Sequence, residues 1–566
     1  MNSVHASDPK IRADLILLHA PSVLDFRGRR DVLFPYVASD SVAVSSIFEI
    51  YPLGFKSIES YLKGHGVSVK IINLAALMIR KWDLDVRAFL STLEARAFGI
   101  DLHWVIHAHG SIELARLLKE THPQTPTLFG GISSTYFARE LMEYPQVDLV
   151  LRGFDTHEPL MQLMKALKSG SSLEGIPNLL YRDGANGSTM VNEFSHKPRT
   201  INCDTAADWG PFLDSRKDEN PAMMVLPSTG CAHNCGWCGG SKDAVKRIME
   251  TRYPVSPRVP EAITVEMQSM RDKPAAKRAN IYTLNAYNFS AKALDVYLAG
   301  VKSAGIRDVS YEQFRLTPMP VLQKMVDAAR TTINLSPESH DVAISKLAGR
   351  GNYSMAQMES WIESALKMGV YGVQIWFFIG MPQQTLGSVA DTVAYCRELM
   401  QRFKGHRVVP LLTPMVPFLD PGCNYFEHPD DWGYKVFFRS LEDHRSALIN
   451  PSWIHRINYE TRWLSREQVA NVSYDAIDEM TKAKRDLGML PAGVARGLLE
   501  KRAIEKEMLF KISELWERQG TEAVIGKFGD EIQAFNDTAF RGGIADQVYP
   551  IPRKLDNRWF DEFEVA

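Results

Sequence analysis

Three cysteines fall within eight residues, Cys231, Cys235 and Cys238, in the stretch Ser228-Thr229-Gly230-Cys231-Ala232-His233-Asn234-Cys235-Gly236-Trp237-Cys238-Gly239-Gly240. Thiolates are soft ligands, suited to iron–sulfur clusters or to zinc. A cubane cluster offered only three close cysteines keeps one iron open to a ligand from outside the chain. The alternative is a zinc site made of Cys231, Cys235, Cys238 and His233. Structural zinc sites pair two separated ligand doublets, and no second Cys/His doublet follows here. Cys203, Cys396 and Cys423 are isolated, and each reads as a small buried apolar residue. Six cysteines in 566 residues make no disulfide scaffold, so the grouped three point to metal binding in a reducing, cytoplasmic compartment.

The elements around these residues read as two successive α/β units. Strands are expected at Asp14–His19, Val67–Leu74, Phe98–His103, Thr127–Phe129 and Val147–Leu151, alternating with helices at Leu53–Lys63, Ser111–Glu120, Thr135–Glu143 and Glu158–Leu167. Such alternation makes a doubly wound, flavodoxin-like parallel sheet, with ligands at the carboxyl ends of the strands. The stretch Ser171–Asp218, with the hairpin-like Leu180-Tyr181-Arg182-Asp183-Gly184, reads as a crossover. A second alternation places strands at Met223–Pro227, Asn280–Leu284, Asp308–Tyr311, Thr332–Leu335, Val373–Ile379 and Val408–Leu411. Helices at Pro260–Arg271, Ala291–Ala304, Met355–Met368 and Leu386–Phe403 lie between them. Six such units predict a partial (β/α)6 barrel, and the cysteine loop follows its first strand, where barrels place reactive groups. From Pro429 onward helical patterns dominate, at Arg466–Leu487 and Val494–Gln519. The expected units are residues 1–200, 215–428 and a helical 429–566.

Charge and hydropathy narrow the function classes. Lys and Arg total 65 against 67 Asp and Glu, so no basic field marks a nucleic-acid surface and a small-molecule substrate is expected. Met1–Arg12 is polar, without the apolar core of a signal peptide. No uninterrupted apolar run reaches about 18 residues, so no membrane span is expected.

Cys-x3-Cys-x2-Cys, with an aromatic before the last cysteine and Gly after it, resembles the signature of the radical S-adenosylmethionine superfamily. Asn334-Leu335-Ser336-Pro337-Glu338-Ser339 resembles that family's fourth-strand motif. Phe378-Ile379-Gly380-Met381-Pro382-Gln383-Gln384-Thr385 resembles its Gly-x-Pro-x-x-Thr segment after the fifth strand. The resemblance covers roughly Ala222 to Pro417. It implies a [4Fe–4S] cluster on Cys231, Cys235 and Cys238, and S-adenosylmethionine on the open iron. Trp237 would lie near the adenine, with Glu338 and the backbone around Gly380 helping to hold the cofactor. For Glu338 a helix-start carboxylate is an equal alternative. Asn285-Ala286-Tyr287-Asn288 stands where the family has a glycine-rich second-strand motif.

The first unit resembles the cobalamin-binding domain of one branch of this superfamily. Phe129-Gly130-Gly131-Ile132-Ser133-Ser134-Thr135 looks like its Gly-Gly-x-x-x-Thr turn. Val150-Leu151-Arg152-Gly153-Phe154-Asp155 resembles its Arg-Gly segment, and Ile176-Pro177-Asn178-Leu179-Leu180-Tyr181-Arg182 its closing hairpin. By that resemblance Gly130, Gly131, Ser133, Thr135 and Gly153 bind cobalamin. Paired glycines let backbone approach a bulky nucleotide tail. The alternative is a flavodoxin-like domain without ligand. Asp101-x-His103, with His107 and His109 nearby, follows the third strand, whereas the Asp-x-His motif of cobalamin-dependent mutases follows the first. Each of these histidines therefore reads as solvated or at the core edge. The first-strand loop offers Ser22, Asp25, Arg27, Arg29 and Arg30, none a strong metal ligand.

The resemblance implies an enzyme that cleaves S-adenosylmethionine to a 5′-deoxyadenosyl radical and methylates an unactivated carbon through methylcobalamin. Its substrate would be a small or lipid-like molecule, and its electron donor a flavodoxin or ferredoxin. The alternatives are radical cyclisation, ring contraction or carbon coupling without methyl transfer, and a non-catalytic cobalamin or iron–sulfur sensor. Pro414-Met415-Val416-Pro417-Phe418-Leu419-Asp420-Pro421-Gly422 should form a rigid rim to the site. Tyr425, Phe426, Trp432 and Tyr434 lie beside it, as substrate contacts or as packing.

Overall fold

The computed structural model describes residues 10–37, 39, 46–49, 52–183, 187–201, 222–278, 280–350, 353–415 and 418–541. Cys203, Gly184, Val416 and Pro417 lie outside the described residues.

The first sheet contains β1 (Leu15–His19), β2 (Val69–Asn73), β3 (Ala97–Asp101), β4 (Thr127–Gly130), β5 (Leu149–Leu151), β6 (Leu179–Arg182) and β7 (Thr189–Val191). Its order is β2-β1-β3-β4-β5-β6-β7, with the first five parallel and the last two antiparallel. This is the flavodoxin-like order, whose crevice opens between the first and third strands. β1 and β3 are buried along their whole length, as strands covered on both faces must be. Helices Leu53–Gly64 and His157–Ser169 pack on one face through Phe55, Leu62, Leu160 and Leu163. Ala108–Thr121 covers the other through Ile112, Leu114 and Leu118.

The second sheet runs β8 (Ala222–Val225), β9 (Asn280–Thr283), β10 (Asp308–Gln313), β11 (Arg330–Glu338), β12 (Gly372–Ile379) and β13 (Val408–Pro414). The strands are parallel and in sequence order, an open six-stranded barrel. Ile281, Val309, Tyr311, Ile333, Leu335, Val373, Ile375 and Phe377 face outward into one apolar core under helices Pro260–Arg271, Ala291–Ala304, Met355–Met368 and Leu386–Arg402. The alternate residues, Tyr282, Ser310, Glu312, Asn334 and Gln374, therefore line the inner face. Helix starts are well signalled: Ser354 with Gln357, and Thr385 with Ser388, form capping boxes.

Beyond residue 429 the chain is mostly helical but not only so, because Tyr434–Val436 pairs antiparallel with Tyr459–Thr461. These strands are too short to carry a periodic signal; they form because Tyr434 and Tyr459 are buried against the barrel. Helix Arg466–Asp486 packs on Leu386–Arg402 and β13. The last helical run, Ala492–Arg541, breaks at Gly520 and returns to the first unit. There Phe540 stacks against Phe26 and Phe34, at 5.1 and 5.6 Å between ring centroids. The Asn536 amide nitrogen donates to Val32 O at 2.8 Å, and its oxygen accepts the Phe34 N–H at 3.0 Å. No helix among the described residues is long and apolar enough to cross a membrane.

Candidate functional site

The cysteine loop leaves the carboxyl end of β8 through Ser228–Gly230, which pairs antiparallel with Val255–Pro257. Cys231 and Cys235 are buried and Cys238 half-buried. The His233 and Gly240 N–H groups point at the Cys231 and Cys238 sulfurs, both at 3.3 Å. Burial pushes the Cys235 thiol up to about 12, and Cys238 also rises, so bare thiolates are disfavoured there and a metal centre must supply the compensating charge. Among the described residues the thiols and His233 do not converge into a single-ion group; the only such convergence is His19, His103 and His107, with ligand atoms within 4.8 Å of one another. A zinc ion needs four ligands at about 2.0–2.3 Å. Three thiolates on three separate irons tolerate wider spacing, so the donor set fits a cubane cluster better than zinc.

Tyr287 was not singled out from the sequence. Its hydroxyl lies 3.0 Å from the Cys231 sulfur and donates to Asn285 Oδ1 at 2.6 Å. The Asn285 N–H donates to Glu312 at 2.9 Å, and Asn288 donates to Ser228 Oγ at 2.9 Å. The segment standing in the glycine-rich position thus clamps the cysteine loop. Asn285 sits at φ 48°, a left-handed conformation that Asn tolerates.

Glu338 ends β11 and is fully buried at φ 70°, so it is not at a helix start; the next helix is capped by Asp341. Its carboxylate lies 3.0 Å from the Arg350 guanidinium, which stacks on the Phe314 ring. Burial nevertheless raises Glu338 to about 7, with Arg350 opposing. Trp237 stacks at 5.5 Å on Phe378, and its buried indole N–H has no partner among the described residues. Gly380 needs its positive φ of 104° and close approach to Tyr459, and its N–H and C=O are engaged by Gln384 and Tyr434. On the inner face of the barrel Asn280, Ser310, Asn334 and Gln374 carry buried polar atoms without protein partners, the mark of a wall made for a polar ligand. Cys396, Cys423, Tyr425, Phe426 and Tyr434 are buried core residues.

A cleft of about 510 Å³ runs from the face of the first sheet to the mouth of the barrel. Gly99, Gly130, Gly131, Gly153, Leu17 and Leu151 line one end; Met224, Leu226 and Leu284, at the ends of β8 and β9, line the other. Thr135 ties the turns together, its hydroxyl donating to Gly131 O at 2.8 Å and accepting the Gly153 N–H at 3.0 Å. Ser133 is buried beside them. Asp420 joins the two units, accepting the Trp104 indole N–H at 2.7 Å and the Gly239 N–H at 2.9 Å.

His19, Asp101, His103 and His107 gather at the carboxyl ends of β1 and β3. Asp101 is held well below the usual carboxylate range by His19 and His103. His107 is buried and held well below its ordinary value by that burial. The expectation of solvated or core-edge histidines holds for His107 and His109 only in part, since both are buried, while His103 lines the cleft. Their gathering was hidden because β1 and β3 are distant in sequence and adjacent in the sheet.

Residues 40–159 match the B12-binding domain family. An uncharacterized methyltransferase from Pyrococcus horikoshii is 25% identical over 332 residues, 57% of this chain. The match spans 66% of that relative, just under two thirds of its length. Among solved structures, the radical S-adenosylmethionine methyltransferase TsrM from Kitasatospora setae, with cobalamin and a [4Fe–4S] cluster bound, aligns at a TM-score of 0.53 and 13% identity. That alignment covers 83% of this chain and 89% of the other. The cobalamin-dependent S-adenosylmethionine radical enzyme OxsB, with aqua-cobalamin and S-adenosylmethionine bound, aligns at a TM-score of 0.53 and 12% identity, over 99% of this chain and 83% of the other.

Proposed function

We propose that this chain, which has the fold and the B12-binding domain of the cobalamin-dependent branch of the radical S-adenosylmethionine superfamily, is a methyltransferase acting on an unactivated carbon of a small molecule. One observation carries the reading: a glycine-lined cleft on the first sheet opens onto the strand ends of the barrel that holds the three-cysteine loop. A group seated in that cleft faces the place where a radical would be made.

When bound, the cluster and cobalamin would supply reductive cleavage of S-adenosylmethionine and a transferable methyl group. The protein's part is to hold and exclude. Cys231, Cys235 and Cys238 would ligate the cluster. Trp237, Glu338 and the bend at Gly380 would shape the S-adenosylmethionine pocket, with the unpartnered Asn280, Ser310, Asn334 and Gln374 facing cofactor and substrate. Gly130, Gly131, Ser133, Thr135 and Gly153 would cradle cobalamin; Gly130 leaves the room this needs, with no atom nearer than 4.0 Å to a Cβ built there. Residues 1–200 would carry cobalamin, 215–428 the radical chemistry and 429–566 one wall of the substrate site. An external flavodoxin or ferredoxin would deliver the electron.

The test is anaerobic reconstitution with methyl-labelled S-adenosylmethionine and a cell extract. Labelled product together with 5′-deoxyadenosine supports the proposal. Product without label replaces methyl transfer by radical rearrangement. The triple variant Cys231→Ala, Cys235→Ala, Cys238→Ala should lose both iron and 5′-deoxyadenosine formation.

A further inference from the structure

The β1 and β3 ends form the topological switch point of the first sheet, where the following connections leave on opposite sides and a ligand crevice opens. His19 ends β1 and Asp101 ends β3. The Asp101 carboxylate, 2% exposed, takes the Nδ1 of His19 at 3.0 Å and the Nδ1 of His103 at 2.6 Å. His19 has no lone pair to spare, since its Nε2 faces Phe48 O at 3.0 Å. His107 is buried, with Nδ1 on Ala20 O at 3.2 Å. The three imidazoles therefore do not act as one three-ligand ion site.

His103 is different. It lines the cleft, its side chain is 29% exposed, and its Nε2 has no partner among the described residues. The carboxylate fixes the tautomer with the proton on Nδ1 and makes Nε2 the more basic, the arrangement found behind metal-bound histidines. Its backbone is fixed too: a Cβ at Gly131 would lie 2.5 Å from His103 Cα, so the glycine turn packs directly on it.

We infer that His103 supplies, through Nε2, the protein ligand to the cobalt of cobalamin on the face turned toward the first sheet, with Asp101 and His19 as its positioning groups. The inference rests on the proposed cobalamin binding. It departs from the motif order of the mutases, because this ligand follows the third strand rather than the first; adjacency of β1 and β3 makes the two loops equivalent in space.

The experiment is electron paramagnetic resonance of the full chain loaded with cob(II)alamin. Wild-type protein should show triplet nitrogen splitting on the high-field cobalt lines. Protein grown with histidine carrying the heavier nitrogen isotope should show doublets instead. His103→Ala should bind cobalamin and lose the splitting. Unsplit lines in the wild type overturn the assignment. So do triplets unaffected by the label, which would mean that cobalamin's own base is the ligand. If the chain binds no cobalamin at all, the cobalamin reading falls and this one with it, whereas binding with unsplit lines removes only the histidine. The labelled wild-type spectrum decides the matter even if the alanine variant fails to fold.

Discussion

Trp104 and Asp420 meet across the boundary between the two sheets, the indole N–H donating to the carboxylate at 2.7 Å. Trp104 follows the β3 loop that carries His103, and Asp420 also holds the Gly239 N–H directly after the third cysteine. One carboxylate thus fixes the distance between the loop at the cobalamin cleft and the loop at the cluster. Burial raises its pKa against these two donated hydrogen bonds, so removing a donor leaves a poorly solvated acceptor.

Trp104→Phe should lower unfolding stability by about 1–3 kcal/mol, and Asp420→Asn by a similar amount. Because both remove one interaction, the double variant should cost less than the sum. Denaturant midpoints for the four proteins of the cycle check this; strict additivity would show that the contact holds nothing together.

Gly130 and Gly131 should behave differently although they are neighbours. Gly130→Val projects into the open cleft and should leave the fold intact while abolishing cobalamin binding. Gly131→Ala forces a side chain at φ 116° into the His103 backbone and should destabilise the apoprotein itself. Thermal melts without cobalamin, set beside absorbance titrations with it, separate the two effects.

Tyr287→Phe should move the reduction potential of the reconstituted cluster to more negative values. The hydroxyl beside Cys231 stabilises added negative charge on the sulfur, and hydrogen bonds to cluster sulfurs raise the potential. A redox titration followed by paramagnetic resonance reads the shift, with cluster content unchanged.

Glu338 gives a pH signature. Its folded pKa is raised from 4.5 to about 7, so the native state binds the proton more tightly than the unfolded chain. The resulting stability is full below pH 4.5 and is lost as pH rises to about 7, by as much as about 3 kcal/mol. In the metal-free protein Glu338→Gln should flatten the fall in melting temperature across that window. A variant with the wild-type slope would assign the slope to other groups.

Both sheets were legible because parallel strands buried on both faces leave short apolar runs, such as Leu15-Ile16-Leu17-Leu18, between amphipathic helices. Helices Pro260–Arg271, Ala291–Ala304 and Met355–Met368 could be bounded to the residue, where Pro, a Ser cap or a Gly stop marks an end. The cysteine loop was legible because its spacing is local. The partners of that loop were not: Tyr287, Arg350, Asp420 and Trp104 reach it from four different elements, and only tertiary packing brings them together. Glu338 was read evenly as cofactor group or helix start because a Glu ahead of a helix looks the same in either case; the bulge that carries β11 to its last residue appears only in the register.

The return of the last helix to the first sheet has a consequence for synthesis on the ribosome. Val32 and Phe34, among the earliest residues to emerge, make their buried hydrogen bonds with Asn536 and pack under Phe540. Domains generally fold as units, the N-terminal one first, as the chain emerges. Here the first unit can form its sheet but leaves Phe26, Phe34 and their neighbours uncovered until nearly the whole chain has been made. The nascent protein therefore carries an open apolar flank through most of its elongation, and a chaperone that shields that flank should associate with chains stalled before residue 520 and release chains extended past 541.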